Sequence, residues 1–136
     1  MTDVFPPQKR SQIMSSIRGY DTQPELSVRS LVHRMGYRFR IRQGQLPGDP
    51  DIVLPRHRKV IFIHGCFWHS HKKCKRSKRP STNETFWNQK LDKNIDRDKR
   101  QQGELRKLGW KTLVVWQCQI RIPAKLEEKI KRFMNE

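Results

Sequence analysis

Val60-Ile61-Phe62-Ile63-His64-Gly65-Cys66-Phe67-Trp68-His69-Ser70-His71-Lys72-Lys73-Cys74 joins a strand to a set of reactive side chains. Its first four residues are apolar and mostly β-branched, the composition of a buried strand, and Gly65 ends the run. Between His64 and Cys74 stand two cysteines, three histidines and two adjacent aromatics. A strand end is a rigid mount, so groups placed just past it can be held to chemical tolerances. Four residues separate Cys66 from His71 and two separate His71 from Cys74. Thiolates and imidazole at such intervals suit tetrahedral zinc. The one remaining cysteine, Cys118, follows the strand-like Leu113-Val114-Val115-Trp116. Cys66, His71, Cys74 and Cys118 would make a closed Cys3His site, which is structural rather than catalytic. The competing reading is three buried free thiols with solvent-facing histidines. Zinc leaves His64, His69 and the pair Phe67-Trp68 unassigned, and function is sought there.

With 136 residues the chain is long enough for one modest core without disulfides. Thirty Lys and Arg against thirteen Asp and Glu give a net charge of +17, a field that attracts polyanions, with nucleic acid the default partner. An anionic membrane surface is disfavoured, because no long apolar span or basic amphipathic helix is present. No signal peptide is visible, so a reducing cytoplasm is expected.

Outward from the central stretch, the pattern predicts alternating helices and strands. Residues 1–20 read as a flexible basic arm, with Met14 in it, and 21–136 as a single domain. Thr22-Gln23-Pro24-Glu25 has capping-box spacing before a helix on Leu26, Val28, Leu31, Val32 and Met35, stopped by Gly36. At its start Glu25 reads, from spacing alone, as a cap residue favoured by the helix dipole. Tyr37 to Arg42 alternates apolar and basic residues, which predicts a half-exposed strand with Arg38, Arg40 and Arg42 outward. After the Gly44–Pro50 loop, strands are expected at 51–54 and 59–63, both covered on their two faces. A helix is expected from Glu84 to about Lys107, a strand from Lys111 to Trp116 and a last helix from Pro123. The order α-β-β-β-α-β, with that closing helix, predicts an α/β three-layer sandwich with a central mixed sheet.

Asp51 follows Pro50 at the start of a buried strand, where a carboxylate is costly unless paired or metal-bound. Pro-Asp followed by a hydrophobic strand is the pattern of the PD-(D/E)xK nucleases, although His64 stands where that pattern has Glu-x-Lys. Thr22 with Glu25, Leu46-Pro47-Gly48-x-Pro50-Asp51, Ile61-Phe62-x-His64-Gly65-Cys66-Phe67-Trp68-His69, Phe86-Trp87, Leu108-Gly109-Trp110 and Val115-Trp116-x-Cys118 together resemble the very short patch repair (Vsr) endonucleases. The resemblance runs from Met14 to about Cys118 and implies a restriction-endonuclease-like fold. It implies a Mg2+-dependent, strand-specific DNA nickase acting beside a thymine-guanine mismatch left by 5-methylcytosine deamination. By the same resemblance Asp51 and the backbone carbonyl of Ile63, where members often have Thr, would hold Mg2+. His69 would activate the attacking water, and His64 and Glu25 would orient water or phosphate. The Zn2+ ligands carry over as Cys66, His71, Cys74 and Cys118, and Phe67, Trp68, Trp87 and Met14 would contact the bases. A bacterial, nucleoid-associated cytoplasmic monomer is expected, with mismatched double-stranded DNA and mismatch-repair proteins as partners. Two readings compete: a zinc-stabilised nucleic-acid-binding protein without catalysis, and an HNH-type nuclease, whose paired Cys-x-x-Cys knuckles are absent here. Base-reading side chains are expected among Arg38, Arg40, Arg42 and the Lys72–Arg79 run.

Overall fold

The computed structural model describes residues 22–136, so the N-terminal arm and Met14 lie outside the described residues. Helix α1 spans Gln23–Arg34, with Thr22 at its N-cap and Pro24 in its first turn. Half of the expected capping box forms: the Thr22 hydroxyl accepts from the Glu25 N–H at 3.5 Å, while the Glu25 carboxylate turns to Arg29 at 3.1 Å. Val28, Leu31 and Val32 form its buried stripe.

Strands β1 (Ile52–Leu54), β2 (Lys59–His64) and β3 (Lys111–Trp116) build one sheet in the order β1-β2-β3. β1 pairs antiparallel with β2, and β2 pairs parallel with β3. The parallel pair requires a crossover, supplied by helix α2 (Glu84–Lys107). Helix α3 (Pro123–Met134) closes the chain. α1 and α3 pack on one face of the sheet against Ile52, Leu54, Ile61 and Val115. On the other face Val53, Val60 and Phe62 meet Leu105 of α2. The expected three layers and mixed sheet are therefore present, and β1 and β2 are covered on both sides.

The strand expected over Tyr37–Arg42 is the exception. Only Arg40 pairs, through a two-bond bridge with Val53 (2.7 and 2.8 Å). Arg42 adopts a left-handed φ of 56°, which breaks the extended run before it can follow β1. The alternation survives without the ladder: Tyr37, Phe39 and Ile41 are partly buried, and Arg38, Arg40 and Arg42 are exposed. No described helix is long and apolar enough to cross a membrane.

A buried lysine fixes the end of the chain to the sheet. Lys59 Nζ, at the start of β2, donates to the carbonyls of Phe133 (2.7 Å), Met134 (3.0 Å) and Glu136 (3.2 Å). These acceptors lie at and just past the C-terminus of α3, where a cation also meets the helix dipole favourably. Lys59→Met should therefore lower unfolding stability by roughly 2–4 kcal/mol, the range for losing charged hydrogen bonds and leaving carbonyls unsatisfied. Denaturant titration checks this.

Candidate active site and cysteine cluster

Asp51 lies immediately before β1, and its carboxylate accepts a 2.6 Å hydrogen bond from the Ile63 N–H on β2. It faces a cleft of about 730 Å³ whose wall also includes Glu25, Ile63, His64, His69 and Asp98. The Gly44–Asp49 loop forms one side. Gly48, with φ of 78°, approaches Phe62 and Gln101 so closely that a Cβ would sit 3.1 Å from both side chains. A larger residue there would push the loop off the cleft.

Burial, reinforced by the nearby Glu25 carboxylate, pushes Asp51 up to about 7, against the pull of the Ile63 N–H. A carboxylate buried beside a second acid, and raised mainly by that burial, is a place where a cation would be favoured. Two carboxylates on one wall offer the oxygen donors that Mg2+ takes. The Ile63 contact that forms is through its N–H.

His69 presents a different arrangement. Its Nδ1 lies 2.6 Å from Asp98 Oδ2, so a carboxylate oxygen accepts from Nδ1–H and leaves Nε2 with its lone pair. This is the orientation of a general base. His64 stacks on His69, with ring centroids 3.8 Å apart and an interplanar angle of 6°. Burial, then the neighbouring His69, pushes the His64 ring down to about 4.

Asp98 has no place in the sequence reading. A signal for it exists: Trp87, Leu91 and Ile95 recur at fours, and continuing by three puts Asp98 on the inward stripe of α2. A carboxylate on an inward stripe needs a partner. Asn94, one turn earlier, donates to the Trp68 carbonyl at 3.0 Å. α2 therefore holds the 66–71 loop at two points.

On the other side of that loop, one donor atom each from Cys66, His71, Cys74 and Cys118 lies within 4.8 Å of the others. The sheet register explains it: His64 is level with Trp116, so Cys66 and Cys118 emerge side by side two residues later. His71 stacks on Trp116 at 4.1 Å, and its Nδ1 is 3.5 Å from Cys118 Sγ. Ser77 Oγ ties the segment together, its one hydroxyl hydrogen shared between the carbonyls of His71 (2.6 Å) and Cys74 (2.7 Å). Tetrahedral zinc with sulfur at about 2.3 Å would bring these donors to roughly 3.8 Å apart, a small contraction. Burial pushes the Cys66 thiol up to about 11, so it ionises at neutral pH only against a cation.

Phe67, Trp68 and Trp87 meet in one cluster, with centroids 5.2–5.9 Å apart, and Phe86 joins through Trp87. Trp68 is 47% and Phe86 57% exposed, so this is a surface feature and not core. Of the basic run, Arg79 is engaged by Asn88 (3.0 Å) and Asp92 (2.9 Å) of α2.

The profile of the family described as DNA mismatch endonuclease Vsr matches residues 2–76. The DNA mismatch endonuclease Vsr of Escherichia coli (strain K12) is 43% identical over 129 residues, covering 95% of this chain and 82% of the relative. The type II nicking enzyme V.XorIIP of Xanthomonas oryzae pv. oryzae is 42% identical over 135 residues, covering 99% and 98%. The type II nicking enzyme V.NmeAIP of Neisseria meningitidis serogroup A is 40% identical over 136 residues, covering 100% and 96%.

The chain belongs to the Vsr family of DNA mismatch endonucleases. As an endonuclease of that family it acts on DNA, the polyanion its charge of +17 anticipated. Within its cleft the neutral state of His64 is directly measurable. In a Vsr enzyme labelled with 15N-histidine, the His64 ring should stay neutral down to about pH 4, well below an ordinary imidazole near 6.5. Imidazole nitrogen shifts that titrate between pH 6 and 7 for His64 would contradict the buried stack.

Proposed function

We propose that this Vsr endonuclease nicks one strand of duplex DNA beside a thymine-guanine mismatch, using Mg2+, with a structural Zn2+ holding the loop that carries its base. The observation that supports the reading most is the His69–Asp98 pair opening into the same cleft as Asp51. The names of the Xanthomonas and Neisseria relatives support nicking, and that of the Escherichia coli relative supports mismatched DNA.

Phosphodiester hydrolysis needs an activated water, neutralised phosphate charge and a stabilised leaving oxygen. Asp98 fixes the His69 tautomer, and Nε2 takes the proton of the attacking water. Asp51, with Glu25 beside it, would hold Mg2+, which would supply charge neutralisation at the phosphate and stabilisation of the leaving oxygen. Neutral His64 backs the His69 ring and keeps its plane fixed. The carbonyl of Ile63 stands as a further ligand by resemblance.

Asp51→Ala should abolish nicking and leave binding to matched DNA intact. His69→Ala should lower the single-turnover rate by roughly 10²–10⁴-fold. Protons also compete with Mg2+ at Asp51. Ionisation is lost as pH falls through about 7, so the Mg2+ concentration for half-maximal nicking should rise about tenfold per pH unit below that point. A pH-independent Mg2+ requirement would remove Asp51 from the metal site.

Cys66, His71, Cys74 and Cys118 are the Zn2+ ligands in this reading. One Zn2+ per chain should copurify, and Cys118→Ser should release it. Structural zinc contributes about 10–16 kcal/mol in small modules, so that variant should also lose cooperative unfolding. Elemental analysis with thermal melts reads both outcomes.

The aromatic cluster supports mismatch recognition. A mismatched pair unstacks at lower cost than a matched one, and a stacked base returns roughly 1–3 kcal/mol per aromatic ring. Phe67→Ala combined with Trp68→Ala should therefore weaken binding to thymine-guanine duplex more than to matched duplex. An unchanged affinity ratio at fixed salt would assign the rings to general contact.

A further inference from the structure

One donor atom each from His64, His69 and Asp98 lies within 4.8 Å of the others, and none of these side chains belongs to the cysteine cluster. Two imidazoles and a carboxylate are the donors of borderline transition ions, whereas Mg2+ takes oxygen. The cleft therefore has two chemically distinct sides, an oxygen side at Asp51 and Glu25 and a nitrogen side at the stacked histidines. We propose that His64, His69 and Asp98 form a second divalent-metal site, selective for ions such as Zn2+ or Co2+, whose occupation inhibits the enzyme. The inhibition rests on the proposed role of His69 as base; the site itself rests on the geometry alone.

Nitrogen and oxygen donors about 2.1 Å from a tetrahedral ion stand about 3.4 Å apart. His69 Nδ1 and Asp98 Oδ2, 2.6 Å apart, must open toward that separation, and the His64 ring must swing out of its stack to turn a nitrogen to the ion. The ion takes the place of the hydrogen shared by His69 and Asp98, and the neutral ring then carries its one hydrogen on Nε2. With His69 held by a metal through Nδ1, Nε2 has no lone pair to take a proton from the attacking water. Arg97, 3.9 Å from the other Asp98 oxygen, opposes a cation here. Occupation is thus weaker than at the thiolates, and the second equivalent fills after the first.

Cobalt(II) titration of the zinc-free full chain separates the sites by spectrum. The first equivalent should bring sulfur-to-cobalt charge-transfer bands from the cysteine cluster. The second should add weak d–d bands with no further sulfur intensity. His64→Ala and Asp98→Ala should each take the first equivalent, which also reports that they fold, and lose the second. In a nicking assay at saturating Mg2+, Zn2+ beyond one equivalent should slow the wild type by about tenfold or more, since removing a base costs roughly 10²–10⁴. A wild type that takes no second equivalent, or two variants that both keep it, would overturn the proposal. Missing sulfur bands would refute the cysteine zinc site alone, and no nicking in Mg2+ alone would refute the catalytic reading alone; the d–d bands decide the second site in either case.

Discussion

The parallel pairing of β2 with β3 is the constraint on which the rest depends. Its register, Ile63 with Val115 and His64 with Trp116, sets the two cysteines that follow side by side. A parallel pair also cannot be joined by a tight turn. The crossover it demands is α2, and α2 brings Asp98 to His69 and Asn94 to the Trp68 carbonyl. A slip of one residue between the strands would separate Cys66 from Cys118 and reverse which residues face each layer.

Charge is distributed in two opposed ways over this frame. The chain as a whole is strongly cationic, yet the cleft wall holds Asp51, Glu25 and Asp98. The long-range field draws in a polyanion without regard to sequence. The local acids would then repel its phosphates unless a cation lies between them. Asp51, already pushed up to about 7 by burial and Glu25, is the group that feels this conflict most. His64 is driven the other way, down to about 4, so one cleft keeps an acid and a base apart by environment.

Most of the fold was legible in the residues. The apolar runs Ile52-Val53-Leu54 and Val60–Ile63 announced covered strands, and the helix expected from Glu84 to about Lys107 is α2 as found. Tyr37–Arg42 misled because period-two alternation reports which side chains are buried and not whether a backbone partner runs alongside. Its apolar members do tuck under the sheet, but β1 is three residues long and offers one place to pair. At the site, short-range spacing placed Cys66, His71 and Cys74, and the strand-end position placed Cys118. Asp98 and Ser77 were illegible for a common reason. Asp98 bonds a loop 29 residues away and Ser77 bonds carbonyls of its own loop, and a lone polar residue in a charged segment looks like solvated surface. Lys59 was hidden likewise, since only the folded chain shows that the terminal carbonyls of α3 return to it.

The loop from Cys66 to His71 is where stability, recognition and chemistry meet. Cys66 and His71, at its ends, belong to the cysteine cluster, and Phe67-Trp68 face outward to Trp87. His69 points back into the cleft. Six residues are too few to move independently, and both ends are tied: His71 N–H bonds the Cys66 carbonyl at 2.9 Å, and His69 N–H bonds the Gly65 carbonyl at 3.2 Å. Any contact that displaces Trp68 therefore acts on the adjacent His69 backbone. The hydrogen bonds from Asn94 and to Asp98 resist that displacement from outside the loop, and both arise one turn apart on α2. The orientation of His69 thus depends on the same helix that presents Phe86 and Trp87 at its first turn. In the proposed reading, base contact and proton transfer would be mechanically joined through α2.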